Sequence, residues 1–220
     1  DYSRTMVAQK NSLARSKPLR IVANALIAVG IIAAAAIAYQ VWGTNVTSAI
    51  LADQERTALK REFSQPNNLV PSLVEPEASK SFGLVSIPAL KLEDFPLVQG
   101  IEERDLAKGI GHYPGTAMPG GLGNFAIAGH RAGNGEPFAE FEKLKAGDKI
   151  FVQTADATYV YSLEYDTKVR PSGTWVIDKN PKNMPVDNTR KLITLTTCDP
   201  KWNSTHRWVW WGSLSEIIPN

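Results

Sequence analysis

Four hydrophobic patterns follow one another along the chain and divide it before any single residue is weighed. Residues 21–41 carry no charged side chain. That length suits a hydrocarbon core about 30 Å thick, and a core helix of a soluble protein is rarely apolar on every face. The pattern predicts a transmembrane helix over 21–42, with Tyr39 and Trp42 at the outer interface, where amphipathic rings prefer to lie. The competing reading is a secretory signal peptide, since residues 34–38 contain small-residue patterns a peptidase accepts, although the apolar part is longer than a usual signal core. Residues 49–63 mix Ile50, Leu51, Ala58 and Leu59 with alternating charges and predict a short amphipathic helix. Residues 64–80 hold three prolines among polar residues and read as an extended linker. It serves either as a spacer or as an arm laid across the groove of the domain that follows.

From residue 81 onward the pattern is β-rich. Strands are predicted over 82–90, 95–98, 124–130, 149–153, 158–165, 191–198 and 207–214, with Asp156 in a tight connection between two of them. Their spacing suggests a closed barrel or a sandwich. In the run Arg207-Trp-Val-Trp-Trp211, a two-residue period puts Arg207, Val209 and Trp211 on one face and Trp208 and Trp210 on the other. Short helical turns are expected over 102–108 and 137–144, where Phe138, Phe141 and Leu144 make core contacts. Gly120-Gly-Leu-Gly123 precedes a strand, so it is a turn and not a phosphate cradle.

Charge sharpens this division. The formal net charge of +2 hides five Lys/Arg against Asp1 in residues 1–42, so that the head carries +4 and the rest −2. By the positive-inside rule the head, with Arg4, Lys10, Arg15, Lys17 and Arg20, stays in the cytoplasm and residues from about 43 lie outside. No basic patch with interleaved aromatics points to nucleic acid. One cysteine and three scattered histidines show no zinc spacing, so neither a metal nor another cofactor is expected. The acidic residues Glu102, Glu103, Asp105, Glu140 and Glu142 lack a calcium-loop spacing and are taken as solvated surface.

The candidate chemistry starts at Cys198, the one cysteine of the chain. Packing as a small hydrophobe is the plain reading of such a thiol. Here, however, Cys198 ends a β-branched strand that Asp199-Pro200 terminates, which places it at a rim. Arg207, at the head of the next strand, can return to its neighbourhood, the plainer alternative being a surface salt bridge. A cysteine nucleophile needs a base, because a thiol of pKa about 8.5 is only slightly ionised at neutral pH. His130 closes the run 124–130 and is followed by the loop 132–135, again at a rim. His112 lies in a turn-rich stretch and reads as loop surface, and His206 as surface or a neighbour of the site.

With these residues in place, Thr194-Leu-Thr-Thr-Cys198, Arg207 downstream and His130 upstream in Ala-Gly-His-Arg131 resemble the active-site signature of the sortase family, over roughly residue 82 to the C-terminus. The resemblance implies a mainly β fold, a closed eight-stranded sortase-type barrel with short helices behind a single N-terminal transmembrane helix. It divides the chain into a basic cytoplasmic segment (1–20), a transmembrane helix (21–42), an extracellular helix and linker (43–80) and a catalytic barrel (81–220). It implies a cysteine transpeptidase of the cell membrane that cleaves a C-terminal sorting signal on secreted proteins between Thr and Gly and joins them to an envelope amine, a peptidoglycan precursor or a pilin lysine. Cys198 is then the nucleophile, His130 the general acid and base, and Arg207 the holder of the oxyanion or the substrate backbone. Thr197 is a candidate substrate contact, although on a two-residue period it points opposite Cys198. The Pro/Gly-rich approach to His130 and Thr-Thr-Cys198-Asp-Pro are similar to class E members, which are associated with Leu-Ala-x-Thr-Gly signals where the wider family prefers Leu-Pro-x-Thr-Gly. No second apolar span precedes Asn220, which favours the anchoring type over a pilin-polymerising sortase. A tethered β-domain that only binds an envelope partner is the alternative outside enzymology. The Ser-x-Gly-Cys surroundings of an L,D-transpeptidase are not found.

Overall fold

The computed structural model describes residues 17–64, 74–182 and 187–220. The basic side chains of Arg4, Lys10 and Arg15 and the linker stretch 65–73 lie outside the described residues. The chain divides into two compact units, Asp1–Gln40 and Val41–Asn220. In the first, helix α1 (Lys17–Ala38) takes Lys17 and Arg20 into its opening turns and buries none of its residues. Its 22 residues rise about 33 Å, and it is the one helix among the described residues long and apolar enough to cross a membrane. Regular α-helix stops at Ala38, four residues short of the predicted end, and a π-type turn, Tyr39–Gly43, carries the exposed rings of Tyr39 and Trp42.

In the second unit, α2 (Thr44–Phe63) begins five residues earlier than its pattern suggested. It packs on the barrel through Ser48, Ala52 and Leu59, which recur at helical spacing on one side. Ile50, one of the apolar residues of this segment, lies off that side and is 56% exposed.

Eight strands close a barrel in the order β1-β2-β3-β4-β7-β8-β6-β5: β1 (Ser81–Ile87), β2 (Leu92–Gln99), β3 (Ile110–His112), β4 (Gly123–Ala128), β5 (Lys149–Gln153), β6 (Ala157–Val169), β7 (Lys191–Asp199) and β8 (His206–Pro219). Two of the pairings are parallel, β2 with β3 and β4 with β7, and both need crossovers. A two-residue period sorts the side chains. Ile193, Leu195 and Trp210 join Phe125, Phe138 and Phe141 inside the barrel, while Leu192, Val209 and Trp211 pack outside it with Val176. Phe138, Phe141 and Leu144 are core residues, as their spacing indicated. The short helix α3 (Glu103–Leu106) replaces the longer turn expected over 102–108.

Two expectations need correcting. Asp105 is 2% exposed, not solvated: its carboxylate accepts the Ser79 hydroxyl at 2.5 Å and the Glu102 backbone N–H at 3.1 Å, closing a capping box on α3. His112 is not on a surface loop. It ends β3, fully buried between β2 and β4, because three strand residues set among glycines and prolines are too few to show a period. Its ring lies against Phe125, with Nδ1 2.7 Å from Gln99 Oε1 and Nε2 2.9 Å from the Thr116 hydroxyl.

Burial lowers the His112 pKa to about 4, offset only in part by the Ala117 carbonyl and the Glu75 charge. The unfolded chain therefore takes up this proton near pH 6.5, before the native state does, and stability falls as the pH drops from 6.5 towards 4. The full loss is about 3 kcal/mol. Urea titrations of the detergent-solubilised chain at pH 7 and pH 5 are expected to show this fall, and His112→Gln to flatten it. Equal slopes for the two proteins would refute the assignment.

Candidate active site

The site is assembled at the ends of three neighbouring strands. Along β7, Thr197 follows the inward set of Ile193 and Leu195, and Cys198 follows the outward set of Leu192, Thr194 and Thr196. The β7–β8 register places Cys198 directly opposite Arg207. Opposed residues of an antiparallel pair share a face, with Cβ atoms about 5 Å apart, so thiol and guanidinium leave the sheet together. Among the described residues no carboxylate lies within salt-bridge distance of Arg207; its Nη1 is 3.3 to 3.4 Å from the His206 and Ser204 carbonyls. The surface salt bridge considered for it is not formed there.

His130 arrives from the other side of β7. β4 runs parallel to β7 up to Ala128 opposite Thr196, and the Gly129 N–H continues the ladder to the Thr196 carbonyl at 3.1 Å. The Thr197 hydroxyl donates to the Gly129 carbonyl at 2.8 Å. Gly129 has to be glycine, because a Cβ there would meet the Phe138 ring at 2.7 Å. His130 follows at once, its carbonyl accepting the Phe138 N–H at 3.0 Å. One cleft of about 390 Å³ is lined by His130, Cys198 and Arg207, with Thr197, Tyr113 and Lys201 among its other walls. The three proposed catalytic residues thus share one cleft, and Thr197 lies in its buried floor with its hydroxyl already donated. His206 is exposed and does not line it.

Burial lowers the His130 pKa below its ordinary value, and the Glu103 carboxylate, 3.7 Å from Nε2, offsets this only in part. Asn134 Nδ2 stands 3.4 Å from the same nitrogen and also bonds Glu103.

Sequence reasoning missed the group that holds the two halves of the site together. Arg131, 8% exposed, gives Nη1 to Asp199 and Nη2 to Glu142 at 3.0 Å, and its guanidinium lies 5.0 Å from the centre of the Trp208 ring. Asp199 also takes Lys168 Nζ at 3.0 Å. Burial by itself would raise the Asp199 carboxyl, but the hydrogen bonds and charges of Lys168 and Arg131 outweigh it and hold the pKa below the usual carboxylate value. The residue after the imidazole is thereby ion-paired with the residue after the thiol. The signal was in the sequence: an opposite charge directly follows each candidate. Tyr113, whose hydroxyl is 3.0 Å from that of Thr196, was also passed over. Among the described residues no group of three His, Cys, Asp or Glu is placed to hold a metal.

A closed barrel carries a thiol, an imidazole and a guanidinium in one cleft at its rim, and comparison with known proteins gives the kinship of the chain. A family model described as Sortase domain matches residues 85–215. Sortase SrtE1 of Streptomyces coelicolor is 35% identical over 208 residues, which cover 91% of this chain and 58% of that protein, so the chain spans little more than half of this relative. Sortase SrtE2 of the same organism is 29% identical, with coverage of 91% and 86%. The crystal structure of sortase E1 from S. coelicolor with a tripeptide in the active site superposes with a TM-score of 0.60 at 37% identity, covering 66% of this chain and 94% of that one. The chain belongs to the sortase family, whose members are cysteine transpeptidases, and its similarity to class E sortases agrees with the motifs around His130 and Cys198.

Proposed function

We propose that the chain is a membrane-anchored sortase-type transpeptidase. It cleaves a C-terminal LAxTG/LPxTG-type signal between Thr and Gly and passes the protein to a cell-envelope amine. The observation that carries this reading is the register pair Cys198–Arg207 in one cleft with His130. α1 is the anchor, with the basic head in the cytoplasm and the barrel outside.

In the first half-reaction Cys198 Sγ attacks the Thr carbonyl carbon while His130 accepts the thiol proton. The carbonyl oxygen becomes an oxyanion that Arg207 holds by charge-assisted hydrogen bonds. Collapse breaks the C–N bond, His130 returns the proton to the leaving glycine amine, and a Thr thioester remains on Cys198. In the second half-reaction His130 deprotonates the incoming amine as it attacks the thioester, and Sγ leaves as the new amide forms and takes that proton back from His130. Thr197 serves in the floor of the cleft, beneath the acyl group.

Mixing the detergent-solubilised chain with LAxTG and LPxTG peptides and recording intact mass is expected to reveal the peptide up to Thr joined to the protein and lost again on adding an amine. No adduct with either peptide would overturn the proposal. Arg207→Lys, which keeps the charge but loses the planar fork, is expected to lower kcat about 10- to 100-fold with an unchanged adduct mass. A near-normal kcat would remove Arg207 from the mechanism.

A further inference from the structure

The loop after His130 holds an unfavourable backbone. Gly133, Asn134, Gly135 and Glu136 all lie at positive φ (72°, 50°, 80° and 44°), two of them residues with a Cβ. Such a run persists only where its surroundings fix it. What fixes it comes from α2, outside the stretch matched by the family model. Asn45 Oδ1 accepts the Gly135 N–H at 2.9 Å, and Asn45 Nδ2 donates to Glu136 Oε1. Glu136 Oε2 in turn pairs with Lys201 Nζ at 3.1 Å, a residue of the β7–β8 connection that lines the cleft. Inside the same loop, Asn134 reaches His130 and Glu103. α2 is also packed close beneath the loop, since a Cβ on Gly135 would stand 3.4 Å from the Ser48 Cβ.

We infer that Asn45 is a positioning residue for His130: by clamping Gly135 and Glu136 it fixes the left-handed loop that sets the imidazole, so that the helix after the anchor completes the catalytic cleft. The inference rests on the transpeptidase reading for its kinetic consequence and on geometry alone for the clamp. One amide meets both a donor and an acceptor of the loop. Displacing a catalytic group by about 1 Å is enough to cost up to two orders of magnitude in rate, so the effect belongs in kcat more than in KM.

The test uses the full chain in detergent. Asn45→Ala is expected to lower kcat for peptide transfer about tenfold with KM within twofold, and to speed deuterium uptake over 131–136 about tenfold while the other strands are unmoved. Asn45→Asp keeps the acceptor but sets a carboxylate against Glu136, and is expected to do the same. Combining it with Glu136→Gln exchanges donor and acceptor and should bring both readouts back to within about threefold of wild type, which a general loss of stability would not do. Unchanged uptake in Asn45→Ala, a kcat within twofold of wild type, or an effect confined to KM each overturns the inference. Absence of turnover in the wild-type chain would instead sink the transpeptidase reading, and the clamp would then be judged on the exchange data alone.

Discussion

Cys198→Ala is expected to abolish transfer, lowering kcat by about 10⁴-fold or more, with the melting temperature within a degree or two of wild type. The size follows from the chemistry: without sulfur there is no thioester, so both half-reactions are lost, and what remains is binding and oxyanion stabilisation with nothing to attack. The small structural effect follows from the position. Cys198 is half-buried at the end of β7, so that shortening it opens no core cavity. His130→Ala is expected to be nearly as severe, and the double variant no worse than Cys198→Ala, because groups acting as a unit are not additive. The two single variants separate at high pH. There a thiolate forms without help, so His130→Ala should recover alkylation of Cys198 by iodoacetamide while transfer stays lost for want of an acid at the leaving amine. Peptide turnover by Cys198→Ala within a hundredfold of wild type would refute the nucleophile assignment.

The parts of this site that were legible are those fixed by short-range pattern. The alternation in β7 and β8 is enough to put Cys198 and Arg207 on one face once the two strands are neighbours, and the register pair is what that alternation requires. The apolar run that becomes α1 needs only its length. What could not be read depends on which distant segments meet. β3 is three residues long and gains its place from β2 and β4, so nothing local distinguishes it from a turn, and His112 was misplaced with it. Which side of α2 is buried could not be read either, because the face is chosen by the barrel it packs on, through Ser48, Ala52 and Leu59, and leaves Ile50 exposed. Asp105 was taken for surface because its capping role depends on the residues around it. The Arg131–Asp199 pair joins residues 68 apart and exists only because β4 and β7 run side by side in parallel.

That pair is the source of the second large effect. Arg131→Met is expected to destabilise the barrel by about 3 kcal/mol, a fall of roughly 6 to 12 °C in melting temperature for a domain of this size. Methionine fills the space along Trp208 but withdraws the guanidinium from a carboxylate that is only 13% exposed, leaving Asp199 with Lys168 alone. Removing one member of a largely buried pair costs more than the pair is worth, because Asp199 stays largely buried with only the more exposed Lys168 to offset its charge. Arg131→Met combined with Asp199→Asn should therefore be less harmful than the sum of the two, with a coupling of about 1 to 3 kcal/mol in a double-mutant cycle by urea unfolding. The kinetic effect should outrun the thermodynamic one. At a temperature where Arg131→Met is still fully folded, kcat is expected to fall at least tenfold, because the ion pair tethers the residue beside the imidazole to the residue beside the thiol and holds the two reacting groups in reach of each other. A coupling below about 0.5 kcal/mol, or a folded Arg131→Met enzyme with wild-type kcat, would show that β-sheet pairing alone sets the distance between His130 and Cys198.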